Sequence, residues 1–381
     1  MAGGLLDELD THPDFWRGRY ETAQAIEACA QVVESQVHAE TIAFHLVGLL
    51  AAADPTEERE SSIDLLNVAI NSTRGVAAEA ALILANRWVE AGQPLPNTLP
   101  ATLCLYANDP HPAVRAVLLK DLPILQDRVP ELGWRVFDLA TERSDAAIWA
   151  EAERCLYYAY HRHYELVAPY LARMFTAGAY EPWGRISALA CLSGHVALPD
   201  FLDSLLDVAD GAAWKGAAQV FASNTSQHRE TCLKALIWLL ERSPEPAEVA
   251  DEASHLFREK APIRGLPAAF FQRYFAAKAQ KDTARPRLLF QFFEWLAAIA
   301  PDSTEETLVA LEALFASPVS ASFDRWELRD MSILNHLFGE AEDREQADGG
   351  AFLARVIAVQ DALLRNDTHG FDQWLKDAER P

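Results

Sequence analysis

The sequence predicts an all-α fold, a right-handed α-solenoid in which helix pairs stack on one another. Apolar residues recur at helical spacing in runs of about 10–20 residues, and proline, glycine, asparagine and aspartate separate the runs. No stretch alternates polar and apolar residues for long enough to indicate a strand. Similar loop-to-helix openings recur at intervals of about 30–41 residues. Because one helix pair cannot bury its apolar face alone, stacking of neighbouring pairs is the stable arrangement.

The first 225 residues carry the regular part of this pattern. Asn71-Ser-Thr-Arg-Gly75 is predicted to cap the helix that follows it, and the small residues at 75, 78, 81 and 85 are predicted to let another helix approach closely. Helices are predicted at about residues 14–34, 37–52, 60–70, 73–91, 99–107, 112–121, 130–142, 146–160, 164–176, 182–195, 199–208 and 211–223.

The clearest opening is Asn108-Asp-Pro-His-Pro-Ala-Val-Arg115, which continues to Asp121. Asp109 is predicted to cap the helix, with Pro110 or Pro112 in its first turn. Arg115 is expected to point sideways towards the next helix pair. Three apolar residues are predicted to share one buried stripe, namely Val114, Val117 and Leu118. An aspartate followed five residues later by Val-Arg at the start of such a helix resembles the second helix of a HEAT repeat.

After residue 225 the openings lose their similarity, although the pattern stays helical. Helices are predicted at about residues 227–242, 246–260, 266–280, 285–300, 303–315, 322–338, 346–365 and 369–378. Pro262 to Pro267 is the candidate kink, and Glu340 to Gly350 is predicted to be an acidic loop. We therefore predict a single domain over residues 1–381, divided into N-terminal helices at 1–59, regular repeats at 60–225 and an irregular helical part at 226–381.

Charge and cysteine usage limit the partners and the compartment. The formal net charge of −23 disfavours nucleic acid and anionic membranes as partners, since both require concentrated lysine and arginine. It permits a basic protein partner. The five cysteines lie far apart among apolar residues, which indicates buried thiols in a reducing compartment. With neither a signal peptide nor a membrane span in the sequence, the protein is predicted to be cytoplasmic.

The sequence lacks the motifs of several enzyme classes. It contains no P-loop, no His-Glu pair of the kind found in zinc proteases and in HEAT-repeat hydroxylases, and no Gly-x-Ser-x-Gly elbow. His38 and His45 are spaced to share one helical face. They are expected to be one exposed and one partly buried histidine, with a metal site as the alternative. We therefore predict no enzymatic activity, no cofactor and no metal.

Six residues near the starts of second helices are the candidate protein-contact residues: Arg74, Arg115, Trp149, Arg185, Trp214 and Lys215. In one interpretation the four cations line a concave surface and contact an acidic ligand. In the other they form a structural ladder with acidic residues of the adjacent repeat, such as Asp109, Asp145 or Asp210. The tryptophans, together with Trp183, serve either as contact anchors or as packing between repeats.

Two aromatic clusters also have two interpretations each. Tyr157-Tyr-Ala-Tyr-His-Arg-His-Tyr164 is expected to be a buried tyrosine face that ends a helix, and its alternative is an exposed, titratable contact patch. The second cluster is expected to be core, and would suit docking of another protein only if one face were exposed. It comprises Phe270, Phe271, Tyr274, Phe275, Phe290, Phe292, Phe293 and Trp295.

Four segments carry a resemblance to a known family: Asn71-Ser-Thr-Arg-Gly-Val-Ala-Ala-Glu-Ala80, Asp109-Pro-His-Pro-Ala-Val-Arg115, Cys155-Leu-Tyr-Tyr-Ala-Tyr160 and Trp214-Lys-Gly-Ala-Ala-Gln-Val-Phe-Ala-Ser-Asn224. Over roughly residues 60–225 the chain resembles the helical C-terminal half of bacterial STAND-type NTPases, several of which act in antiphage defence. The resemblance implies a sensor that binds a foreign or partner protein and controls an attached NTPase. This sequence lacks the NTPase and the effector, which implies either an excised sensor region or a separate adaptor.

Three functions remain open at this stage. The first is a non-enzymatic protein-recognition module, the sensor or adaptor of a bacterial defence system, whose partner is a phage protein or an NTPase or effector subunit. The second is an enzyme on a HEAT scaffold, such as a DNA-base glycosylase or a lyase, which the acidic charge disfavours. The third is a structural scaffold that assembles into a homo-oligomer.

Overall fold

The computed structural model describes residues 2–12, 19–56, 64–143, 146–258, 261–280, 289–321 and 332–366. These residues form α-helices joined by short loops, together with two 3-10 helices, and they contain no strand. The all-α prediction is thus confirmed. The chain forms two compact units, Met1–Ile186 and Ser187–Pro381. None of the described helices combines the length and the apolar composition that crossing a membrane requires.

The described part of the first unit contains eleven helices, and a twelfth includes its last residue. They are α1 (Ala2–Thr11), α2 (Tyr20–Val32), α3 (Gln36–Leu49), α4 (Leu65–Ile70), α5 (Thr73–Glu90), α6 (Leu99–Ala107), α7 (Pro112–Asp121), α8 (Pro123–Arg128), α9 (Pro130–Thr141), α10 (Ala146–Ala159), α11 (Tyr164–Thr176) and α12 (Tyr180–Leu192).

The described part of the second unit continues with nine helices: α13 (Leu198–Leu206), α14 (Gly211–Ser223), α15 (Arg229–Arg242), α16 (Pro246–Ala253), α17 (Ala268–Lys278), α18 (Phe290–Ile299), α19 (Thr304–Phe315), α20 (Ser332–Asp348) and α21 (Ala351–Arg365). The 3-10 helices are Ser254–Phe257 and Pro318–Ala321.

In the first unit, α5 is the central helix. Its alanines are fully buried, and it packs against α2, α3, α4, α6, α7 and α8. The Ser72 hydroxyl caps it by accepting a hydrogen bond from the Gly75 N–H, as the sequence predicts. A Cβ at Gly75 would collide with the backbone of Ala69, so the small-residue face does allow close helix approach. Further along, α7 packs against both α5 and α10, while α6 packs against α9.

In the second unit, the aromatic cluster is core. Phe271, Phe275 and Phe292 are no more than 1% exposed, and Phe257 joins them with ring contacts to Phe270, Tyr274, Phe292 and Trp295. The Trp295 indole N–H is satisfied by the Ile263 carbonyl at 2.8 Å. Because the cluster members whose side chains the structure describes are buried and contact one another, they offer no exposed face for the docking alternative.

Some element predictions need correction. Helices α1 and α8 were not predicted, because α1 has no capping signal and α8 is only six residues long. The segment 346–365 does not form one helix, because Gly349 and Gly350 adopt positive φ angles and separate α20 from α21. The predicted helix at 369–378 lies outside the described residues, as do the ends of several others, including 14–18, 60–63, 285–288 and 322–331.

The acidic loop predicted from Glu340 to Gly350 is wrong, since α20 continues to Asp348. Leu337 and Ala341 are buried on its inner face. On its outer face, Arg344 pairs with Glu340 one turn earlier and with Glu305 of α19. Buried apolar side chains and this pairing outweigh the repulsion between acidic residues that composition alone suggests. The division of one domain into 1–59, 60–225 and 226–381 stays a prediction, and the boundary between the compact units falls within its second part.

Candidate functional site

Hydrogen bonds between successive helix pairs recur at nearly constant sequence separation in the first unit. The Asn86 amide donates to the Asp121 carbonyl, 35 residues later, and the Cys155 thiol donates to the Leu119 carbonyl, 36 residues earlier. Arg173 donates to Asp138 at 2.7 Å across 35 residues, linking α11 to α9. These bonds link each helix pair to its neighbour, and those of Asn86 and Cys155 also satisfy groups that are partly or fully buried.

Arg74 is the most extensively bonded of the candidate contact residues. Its guanidinium donates two hydrogen bonds to the Asp109 carboxylate, at 2.9 and 3.3 Å, and others to the carbonyls of Ala52 and Pro55. The ladder interpretation is confirmed at this position, because Asp109 belongs to the next helix pair. Asp109 therefore does not cap α7. It accepts the His111 N–H instead, and the His111 imidazole caps the helix by accepting the Ala113 N–H at 3.1 Å.

The other three candidate cations are Arg115, Arg185 and Lys215. Arg115 is 3% exposed, and its Nη1 donates to the carbonyls of Ala140 and Arg143. Asp145, one of the acidic residues considered for the ladder, lies outside the described residues. Arg185 donates to both carboxylate oxygens of Glu153 and to Glu181, each at 2.6 Å. Lys215 lies partly exposed on α14, and the neighbouring Asp210 carboxylate caps that helix at the Ala212 N–H.

The candidate tryptophans are packing residues. Trp149 is fully buried, with its ring edge-on to Phe137, and the Arg173 guanidinium lies 5.4 Å from its ring centroid. Trp214 is 2% exposed and stacks on Trp238 with an interplanar angle of 4°. Because Trp149, Trp214 and Arg115 lie inside their units, none of them is available to a partner at the surface, and their prediction as contact residues needs correction.

A groove of about 650 Å³ lies in the first unit. We call it the α8–α10 groove. It lies among the ends of α5, α7, α8 and α10 and the beginnings of α9 and α11. Its lining comprises Glu90, Asp121, Pro123, Ile124, Gln126, Asp127, Arg128, Pro130, Trp134, Arg154, Cys155, Tyr158, Ala159, His161, Arg162, His163 and Leu166. A volume of this size is within the range of ligand-binding clefts.

The tyrosine-rich segment lies at this groove and is exposed, which corrects the expectation of a buried face. The Tyr157 and Tyr158 side chains are 50% and 59% exposed and contact each other edge to face. Tyr158, His161, Arg162 and His163 line the groove, together with the 49%-exposed Leu166. The helix turns its small residues Ala152 and Ala159 and the thiol of Cys155 inwards, so the large rings point to solvent. The alternative from the sequence, an exposed contact patch, describes the segment better.

The charges around the groove balance one another. Asp121 lies 3.6 Å from Arg154, and Asp127 lies 3.5 Å from Arg128, with all four side chains about half exposed or more. The Arg154 guanidinium also lies 5.8 Å from the Tyr158 ring centroid. Three arginines thus face three carboxylates, and two histidines lie beside them, in a chain whose net charge is −23. The groove is therefore much less acidic than the protein that carries it.

Gln126 forms part of the groove floor, and no sequence motif marks it as a candidate site residue. It is 8% exposed, and neither its amide nitrogen nor its amide oxygen has a hydrogen-bond partner among the described residues. A buried amide group left unsatisfied costs about 1–3 kcal/mol. Helices α8 and α9 pack closely at Gln126, because a Cβ at Gly133 of α9 would lie 2.5 Å from the Gln126 backbone nitrogen.

The groove contains no activated nucleophile among its described residues. Burial raises the pKa of the Cys155 thiol far above its ordinary value, and the thiol is engaged with the Leu119 carbonyl, so it stays protonated. Within the described part of the chain, no three side chains of the histidine, cysteine, aspartate or glutamate type converge on a metal-binding position. His38 is half-buried and His45 is buried, so neither is the exposed histidine of that expectation. Aromatic, cationic and amide groups at an open groove can bind, orient and desolvate a ligand.

Sequence reasoning identified the aromatic side of the groove but not its position. Tyr157 to Tyr164 was visible as a dense cluster, whereas the α8 side depends on a short helix between Pro123 and Pro130. That pair of prolines, seven residues apart, was the available signal for an interruption of the repeat. Comparison with protein-family models, with curated proteins and with solved structures finds no match for this chain.

Proposed function

We propose that the protein is a non-enzymatic recognition module that binds a protein ligand in the α8–α10 groove. The observation that carries this proposal is the combination of exposed Tyr158 and Leu166 with an unpartnered amide, Gln126, in one concave surface. Exposed aromatic and apolar side chains supply contact area for a ligand. A buried polar group without a partner destabilises the free protein, and a bound ligand can supply the missing hydrogen bonds.

We further propose that the helix pairs form a HEAT-like, right-handed α-solenoid. The hydrogen bonds across 32 to 36 residues support this, as do the successive contacts of α5 with α7 and of α7 with α10. In such an array each helix pair contacts only its neighbours. In the second unit, Arg258 donates to Gln291 across 33 residues, which agrees with the same period.

As to biological role, we propose a sensor or adaptor in a bacterial defence system. Its ligand would be a phage protein, or an NTPase or effector subunit. The support is the resemblance of residues 60–225 to the sensor half of STAND-type NTPases. For location we propose the cytoplasm, because all five cysteines are free thiols and four of them are buried.

A peptide-display selection tests the recognition proposal. A random dodecapeptide library is selected on the immobilised chain, and the enriched peptides are measured by fluorescence anisotropy. We expect Tyr158→Ala to weaken binding of the best peptide about tenfold, because it removes a 59%-exposed aromatic ring from the groove. Tyr157→Ala is the matched control, since Tyr157 is similarly exposed and does not line the groove.

Circular dichroism of both variants must match the unsubstituted protein, so that a lost helix is not mistaken for a lost contact. The proposal predicts that Tyr157→Ala changes the dissociation constant less than threefold, roughly 0.65 kcal/mol. Enrichment of no peptide above an albumin surface, or equal weakening by the two substitutions, contradicts binding in this groove.

A further inference from the structure

Resting on the proposed recognition function, we infer that the ligand of the α8–α10 groove is an extended peptide segment carrying an acidic side chain. Three features of the groove bear on its chemistry: the unpartnered Gln126 amide, the exposed Tyr158 ring, and the cation Arg162 at the rim. Each constrains a different part of the ligand.

The Gln126 amide limits the backbone conformation that the ligand can have. Gln126 presents both a donor and an acceptor, and a peptide unit offers the complementary carbonyl and N–H. In a helix these backbone groups are already bonded within the segment, whereas an extended segment has them free. The amide is covered from bulk water, so contact with it requires side chains above it to change rotamer, a change common at protein interfaces. An extended segment thereby satisfies a group that the fold leaves without a partner.

The ion pairs within the groove lining limit the charge that the ligand can carry. Two of the three carboxylates of the groove already have an arginine within 3.6 Å. Among the described residues, Arg162 forms no ion pair, and it lies exposed between His161 and His163. An acidic side chain is the complement of this cation, and Glu90 is the one lining carboxylate without an ion pair among the described residues. The groove therefore favours a carboxylate near the Arg162 side.

The aromatic ring constrains the neighbouring residue of the ligand. Tyr158 and Leu166 are exposed residues of the same lining as Arg162, and the Arg154 guanidinium lies 5.8 Å from the Tyr158 ring centroid. An apolar side chain next to the acidic one would bury against these exposed apolar surfaces. A nucleotide also offers a donor–acceptor pair and a ring to stack, but its polyphosphate carries several negative charges, whereas the groove lining has one arginine without an ion pair among the described residues. The balance of charge favours the peptide.

A double-mutant cycle tests the inference on the full chain. The best peptide from the display selection is synthesised with each acidic residue in turn replaced by its amide. Every peptide is then titrated against the unsubstituted protein and against Arg162→Gln. We expect the critical amide replacement and Arg162→Gln each to weaken binding about tenfold, and the two together to weaken it little more than either alone. The effect should shrink between about 50 mM and about 300 mM salt.

Arg135→Gln is the control, because Arg135 is an exposed arginine of α9 outside the groove lining. It should leave the affinity unchanged. Peptides that bind in a Tyr158-dependent way but lack an acidic residue, or two effects that multiply independently, overturn the inference while the recognition proposal stands. Competition by ATP with a bound peptide, through Arg162, also overturns it in favour of a nucleotide. If no peptide binds the groove at all, both the inference and the proposed function fail.

Discussion

The Arg74 guanidinium and the Asp109 carboxylate form a two-point ion pair between residues 35 positions apart. Both side chains are largely buried, with 11% and 4% of their surface exposed. The arginine also satisfies two backbone carbonyls in the preceding loop. The Arg74 side chain thus links the start of α5 to the residues just before α7 and to the loop at Ala52 and Pro55.

Arg74→Leu should therefore lower the free energy of unfolding by about 3 kcal/mol, because it leaves the Asp109 carboxylate buried without its partner. The measurement is urea unfolding followed by circular dichroism. Arg273→Leu serves as control, since Arg273 pairs with Glu241 at an exposed site and its loss should cost less than about 1 kcal/mol. Equal effects of the two substitutions would argue against a structural role specific to Arg74.

His111 predicts a loss of stability in mild acid. Burial lowers the pKa of its imidazole, because the charged form is poorly solvated there, and this outweighs the attraction of Asp109. The unfolded chain therefore binds the proton more readily than the folded chain. The contribution of the neutral His111 imidazole to stability is fully present above the ordinary pKa of about 6.5, and it decreases as the pH drops below that value.

His111→Asn should retain the helix cap, since asparagine also accepts a backbone N–H, and should reduce the loss of stability between about pH 7.5 and about pH 5.5. Urea midpoints at the two pH values measure it. An unchanged pH dependence in the variant would place the acid sensitivity elsewhere.

Gly133 allows α9 to lie against α8 at the floor of the groove. A Cβ there would be 2.5 to 2.7 Å from backbone atoms of Leu125 and Gln126, which cannot move without shifting a helix. Gly133→Ala should destabilise the protein by about 2 kcal/mol. Gly339→Ala is the matched control within α20, because its Cβ would meet no atom within 4 Å. It should instead raise the stability by about 0.5–1 kcal/mol. Thermal unfolding of both variants decides between these signs.

Cys155 should resist alkylation although it lines the groove. Its raised pKa and its hydrogen bond to Leu119 keep the thiol protonated in the folded protein. Iodoacetamide treatment followed by peptide mass analysis should leave Cys155 unmodified in buffer and modify it in urea. Rapid native labelling of Cys155 ahead of the partly exposed Cys104 would indicate an activated thiol and would reopen an enzymatic interpretation.

The framework of the fold was predictable because local signals determine it. Helices such as α6, α7, α11 and α14 begin and end where proline, aspartate and glycine signals place them, and their apolar residues are buried as the spacing predicts. The ladder pair Arg74–Asp109 was also foreseeable, since it follows from the repeat period.

The candidate site was less predictable, because it depends on side-chain direction rather than on spacing. The stripe of α10 that packs against α7 determines whether Trp149 or Tyr158 faces the core. Both stripes are apolar enough to form the buried side of the helix. Gln126 lies on a helix too short to show a period, and its unpartnered amide follows from three-dimensional packing alone. The sequence predicts that Arg115 points towards the next helix pair, but not that backbone carbonyls there allow it to be buried.

The paired measurement of stability and affinity in Gln126→Leu tests the central claim most directly. Leucine fills a similar volume and removes the unpartnered amide, so the melting temperature should rise by a few degrees, from about 1 kcal/mol of added stability. If the amide is kept for a ligand, the best selected peptide should at the same time bind about tenfold more weakly. A variant that is more stable and binds the peptide with unchanged affinity would contradict a ligand at the floor of the α8–α10 groove.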